Sequence, residues 1–172
     1  TAVDGVAQVL TTVSISSNND GDLIAPEWAK VGDIARVIFT ASEPIATPVV
    51  TIAGRPATSI EGPSGNSWAA NLNSFTGIET NGVVPFLIAF ADMAPIPNAG
   101  TPVTVTGDGS FVFFDSVNPT VDAGIDREVN APVILQGATA SDAGSPVTGS
   151  GVNTYAWMQI SGPGLGAVAF SS

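Results

Sequence analysis

The chain contains no cysteine and no histidine. Those two absences remove disulfides, thiolate chemistry, imidazole-based zinc sites and every nucleophile that needs a histidine base. Most hydrolase mechanisms go with them, and no residue is expected to act as a catalytic acid, base or nucleophile. Basic residues are almost missing too: Lys30, Arg36, Arg55 and Arg127 stand against 15 Asp and Glu, for a net charge of −11. The four cations are scattered, whereas a phosphate backbone is held by a basic stripe. Nucleic acid and anionic membrane are therefore excluded as partners. Excess carboxylates repel one another unless cations collect around them, which makes a divalent metal an expected partner. No run approaches the roughly 20 apolar residues of a membrane span, the longest being Val83 to Ala91 with a proline inside, so no membrane insertion is expected.

What the chain does have is 172 residues, 44% of them apolar and only 11% charged, with 19 Gly and 13 Pro. A globular domain normally carries roughly 25% charged residues. Long surface helices are dressed in Lys, Glu and Arg, so this composition favours short strands joined by many turns. The fold expected is all-β. At this length a single unit buries roughly 70% of its extended surface, enough for a core without staples.

Gln8 to Ser16 is β-branched and alternating, then breaks at the turn formers Ser17 to Asp22. In Ile34 to Ala41, one face carries Ala35, Val37, Phe39 and Ala41 and is the expected core face. Further strands are expected at Pro48 to Ala53, Ser67 to Leu72, Val84 to Ala91, Thr101 to Thr106 and Ser110 to Phe114. Trp68, Ala70 and Leu72 alternate as inward residues do. Asn81-Gly82 and Asp108-Gly109 tolerate positive φ and are expected to form tight hairpin turns. Ala94 to Gly100, with two prolines and a glycine, reads as a loop. The pattern restarts near Ser116, with later strands expected at Pro132 to Gly137 and Thr154 to Ile160. That gives modules at 1–117 and 118–172. The chain opens on Thr1 with neither Met nor a charged leader, which reads as a processed or excised segment.

Residues 12 to 115 carry VSISSNN at 13–19, AKVGD at 29–33, VIFTASEPI at 37–45, VTIAG at 50–54, FADMA at 90–94 and TVTGDGSFVFFDSVNPTVD at 104–122. As a set these resemble bacterial Ig-like repeats of long surface and secreted proteins. The resemblance implies an immunoglobulin-like β-sandwich serving as a spacer in an adhesin-like protein, extracellular or at the bacterial cell surface. Residues 119 to 172, with PTVDAGIDREV, PVILQGATASD and YAWMQISGPG, resemble the first half of a PKD-type Ig-like module. The closing strands of that pattern are absent. A half-module with Val133, Leu135, Tyr155, Trp157, Ile160 and Phe170 to bury is expected to take its missing strands from a second chain.

Candidate metal ligands follow from oxygen-donor density, because Ca²⁺ takes six to eight oxygens from carboxylates, amides and carbonyls. Asn18, Asn19, Asp20 and Asp22 form the densest run, though a solvated turn is the favoured account of it. Asp92, Asp115, Asp122 and Glu43 stand at strand ends or at the junction, where related tandem modules hold calcium. Asp122-Ala123-Gly124 and Asp142-Ala143-Gly144 have the Asp-x-Gly form of aspartic proteases, but ordinary turns explain them without a bilobal scaffold. Lys30, a conceivable isopeptide donor, reads as part of a hydrophilic turn. Trp28, placed in a loop between Pro26 and Lys30, is the candidate ligand contact, since exposed aromatics stack on sugars in carbohydrate-binding modules. The ligand expected is thus a protein or a polysaccharide. A carbohydrate-binding accessory region of a secreted hydrolase is the alternative to an adhesive spacer.

Overall fold

A computed structural model describes residues 8–19, 27–124 and 138–141. The chain divides into two compact units, residues 1–116 and 117–172. The described residues contain strands and no helix.

In the first unit a four-stranded antiparallel sheet has the order β1-β3-β7-β6, formed by β1 (Leu10–Ser17), β3 (Ala35–Ala41), β7 (Ser67–Leu72) and β6 (Ser59–Ser64). A second sheet joins β2 (Glu27–Ala29), β10 (Val112–Phe114) and β8 (Gly82–Val83), with β10 parallel to β2 and antiparallel to β8. A third joins β5 (Arg55–Pro56), β4 (Val49–Ile52) and β9 (Phe86–Ala89). Their inward side chains, including Val13, Phe39, Ile52, Trp68, Ile88 and Phe114, form one core with Phe75 from the segment after β7, as in a β-sandwich. Phe75 and Phe114 stack at 4.6 Å.

The period of two decides β3: Ala35, Val37, Phe39 and Ala41 are all buried, while Ile38 between them is exposed. β1 keeps the same logic only through a bulge, because its register against β3 shifts between Leu10 and Thr12. Val13 and Ile15 face the core on one side of the shift. On the other side the even-numbered positions turn inward, beginning with Leu10 opposite Ala41.

Several local expectations are corrected. Thr101 to Thr106 is not a strand; Val103 makes a single isolated bridge with Ile88, since Pro102 has no N–H to extend a ladder. Val84 to Ala91 is not one strand either, because Pro85 separates β8 from β9. Neither Asn81-Gly82 nor Asp108-Gly109 closes a two-residue hairpin. In each only the glycine has positive φ, and Asp108 instead accepts the Ser110 N–H at 2.9 Å in a local turn. The primed two-residue hairpin lies at Ala53-Gly54, with φ of 54° and 75°, between paired Ile52 and Arg55.

Gly100 illustrates how tightly one end is packed. A Cβ there would come within 2.2 Å of the buried Phe90 ring. Gly100→Ala should therefore cost about 1–3 kcal/mol by overpacking, measured as a lowered urea midpoint with an unchanged m-value.

In the second unit, β11 (Thr120–Asp122) pairs antiparallel with β12 (Thr139–Ser141). The strands expected at 132–137 and 154–160, the Asp142 turn, and Val133, Leu135, Tyr155, Trp157, Ile160 and Phe170 lie outside the described residues.

Candidate binding and metal positions

Trp28 is on a strand, not in a loop. The parallel pairing of β2 with β10 places it opposite Phe113, whose ring centroid is 5.4 Å away, leaving the indole half-buried. Lys30 closes the following turn: its N–H and ammonium donate to Asp33 at 2.8 and 3.1 Å, and Gly32 takes φ of 94°.

The expected metal ligands are dispersed. Asn18 Oδ1 accepts the Ile34 N–H at 2.6 Å, fastening the end of β1 to the start of β3. The Asn19 N–H donates to Ser17 Oγ at 3.2 Å. Asp20 and Asp22 lie outside the described residues. The Asp115 N–H donates to the Ala29 carbonyl at 2.9 Å, and Asp122 Oδ1 accepts the Gly124 N–H at 2.8 Å in the second unit. Among the described residues no three His, Cys, Asp or Glu side chains converge as a metal-binding group.

Asp92 is buried and organises the loop that follows it. Oδ1 accepts the Ala94 and Asn98 N–H groups at 3.1 and 3.0 Å, and Oδ2 accepts Asn98 Nδ2 at 2.8 Å. Burial alone would raise its pKa, but those three donors outweigh it and hold the carboxyl below its usual range. The same loop is tied to the chain before β1, because Gln8 Nε2 donates to the Asn98 carbonyl.

Two charged groupings escaped sequence reasoning. Glu79 is buried and receives Arg55 Nη1 together with the Thr76 and Gly77 N–H groups, each at 2.9 Å. Burial pushes this carboxyl up; hydrogen bonds from its own backbone, Arg55, Thr76 and Gly77 bring it down to about 2. On the outer face of the four-stranded sheet, register aligns Ser16, Arg36, Asn71 and Ser59 in one row across β1, β3, β7 and β6. Arg36 donates to Asn71 Oδ1 at 2.9 Å and Glu61 Oε2 at 2.8 Å, and Asn71 Nδ2 donates to Glu61 Oε1 at 2.7 Å and Ser59 Oγ at 3.0 Å. Arg36, then Asn71, lower the Glu61 pKa. This row borders an open cavity of about 600 Å³ that also takes in Ser17, Asn18 and Asn73. The one signal available for it was Arg36 itself, a lone cation on the face of β3 opposite Ala35, Val37 and Phe39. No family model, curated protein or solved structure matches the chain, so the likeness to bacterial Ig-like repeats and PKD-type modules rests on the quoted sequence phrases.

Proposed function

We propose that this chain is a non-enzymatic spacer and interaction segment of an exported bacterial surface protein, working in adhesion. The observation that supports it most is how the first and last stretches of unit one are joined. Two bonds fasten the stretch before β10 to β1, the Gly107 N–H on the Val13 carbonyl at 2.8 Å and the Ile15 N–H on Ser110 Oγ at 3.0 Å. That stretch continues as β10, parallel to β2, and ends with Asp115 on Ala29. Tension applied at the two ends of such a unit slides parallel neighbours past each other. The lateral bonds are then loaded together instead of being peeled off one at a time. That arrangement suits a segment that transmits force between a cell and what it holds.

Single-molecule pulling tests this reading. Ser110→Ala removes one lateral bond and should lower the rupture force of unit one. An unchanged rupture force would count against load-bearing by this seam. The non-enzymatic part fails separately, if a hydrolytic activity is measured that one Asp or Glu substitution abolishes.

Saccharide binding draws on a different observation, the row of Ser16, Arg36, Asn71 and Ser59 beside its cavity. Short, mutually hydrogen-bonded polar groups present paired donors and acceptors to vicinal hydroxyls at small entropic cost. On this reading Arg36→Ala abolishes retardation of the protein in gels containing a neutral polysaccharide, while Trp28→Ala leaves it largely intact. The reverse pattern would move the contact to β2.

A further inference from the structure

Among the described residues, two buried side-chain atoms have no hydrogen-bond partner: Gln8 Oε1 and Glu43 Oε1. They belong to one place. Leu10 pairs with Ala41, and the next step outward is fixed by the Ser42 N–H on the Val9 carbonyl at 2.9 Å and the Val9 N–H on Ser42 Oγ at 3.1 Å. Ladder pairing ends there and Ser42 and Glu43 bend away from β3, but carrying the same alternation one step further puts Gln8 level with Glu43. Residues directly opposite in an antiparallel pair share a face, with Cβ atoms roughly 5 Å apart. Beyond the bulge at Thr11 that face is the inward one, and Gln8 is accordingly only 1% exposed.

The orientation of Gln8 is fixed by its other end. Nε2 donates to the Asn98 carbonyl, so exchanging the amide atoms would set two carbonyl oxygens against each other. Oε1 is left to face the Glu43 side of the pair. Neither oxygen has a donor, and one cation between them would satisfy both. The Asp92 carboxylate, joined to Gln8 through Asn98, adds negative charge to the same end of the sandwich.

We propose that Gln8 and Glu43 form a calcium site at the open end of β1 and β3. Calcium accepts an amide carbonyl beside a carboxylate in irregular geometry and completes its shell with water and backbone carbonyls, whereas Mg²⁺ demands a regular octahedron and dehydrates reluctantly. The site keeps Glu43 from the expected calcium ligands and sets Gln8 beside it in place of the Asn18 to Asp22 run and the junction carboxylates. It stands apart from the force-bearing reading: its failure leaves the parallel seam untouched.

The test is thermal unfolding of the full chain, stripped with chelator and then titrated with calcium or magnesium chloride. Calcium at a hundredfold excess over its Kd should raise Tm by about 5 °C, and magnesium by much less. Glu43→Gln supplies an amide N–H to Gln8 Oε1, so it should raise Tm without calcium and abolish the calcium response. Gln8→Glu adds a carboxylate and should do the opposite, lowering Tm without calcium and tightening Kd about tenfold. An unresponsive parent chain would overturn the proposal. So would a response that survives Glu43→Gln, including one lost instead in Asp20→Ala/Asp22→Ala. A Tm that ignores calcium but rises in acid only while Glu43 is present would assign the pair to a shared proton and reject the metal.

Discussion

Phe39→Ala should lower the unfolding free energy by about 3–5 kcal/mol, while Ile38→Ala, one residue earlier, should lower it by less than about 1 kcal/mol. The two side chains leave the same strand in opposite directions. Phe39 is fully buried between Val13 on β1 and Trp68 on β7, and Ile38 lies on the solvent face between Ser14 and Ala69. Truncating Phe39 removes a ring from water-free contact on every side, and a β-sheet cannot collapse into the gap without shifting its register. Urea unfolding of both variants measures the contrast. Equal losses would mean that the two faces of the sheet are equivalent, against the alternation that organises the core.

Removing Glu79 should be nearly as damaging, at about 3 kcal/mol for Glu79→Ala. The substitution strips partners from the Thr76 and Gly77 N–H groups and leaves Arg55 facing a site from which water is largely excluded. The same carboxylate gives an acid dependence with a definite sign. Its folded pKa of about 2 lies below the ordinary 4.5, so the unfolded chain takes up the proton first. The stabilisation is fully present above pH 4.5 and fades as pH falls toward about 2, a change of about 3 kcal/mol at most. Asp92, Asp108 and Glu61 are also held below their usual values and steepen the decline in the same direction. Plotting urea midpoints against pH for the parent and for Glu79→Gln isolates the contribution, since the amide variant should be flatter between those limits. Parallel curves would exclude Glu79 as a source of acid sensitivity.

How far the sequence foretold this molecule depended on whether the controlling partner was local. The inward face of β3 and the Trp68, Ala70 and Leu72 alternation of β7 were legible, because side chains on successive residues must point to opposite faces. Trp28 was misplaced because β2 exists only by pairing with β10, more than 80 residues later, and three residues carry no period of their own. The Ala53-Gly54 hairpin was hidden by an alanine in a conformation that favours Asn or Gly, while Asn81-Gly82 and Asp108-Gly109 offered the usual signal and serve other turns. Residues 59–64 hold glycine and proline where alternation would be sought, yet they pair along β7.

The binding residues followed the same rule. Asn18 and Asp92 stood out by type, and the structure occupies both with backbone donors. Glu43 also stood out by type, but the proposed pairing with Gln8 depends on a bulge near Thr11 that reverses the inward parity of β1, and no residue in that stretch announces a bulge. Arg36, Asn71 and Ser59 form a row through two separate strand registers.

Direction-dependent pulling separates a force-bearing unit from an ordinary sandwich, and the absence of native cysteine makes the handles unambiguous. In the full chain, Val9→Cys with Val117→Cys draws the parallel seam into shear, whereas Thr58→Cys with Asn73→Cys opens the β6–β7 hairpin from its free end. A tension-bearing spacer should rupture at a clearly higher force through the first pair than through the second, in a single cooperative step for unit one. Equal forces, or a weaker response along the Val9–Val117 direction, would contradict the account.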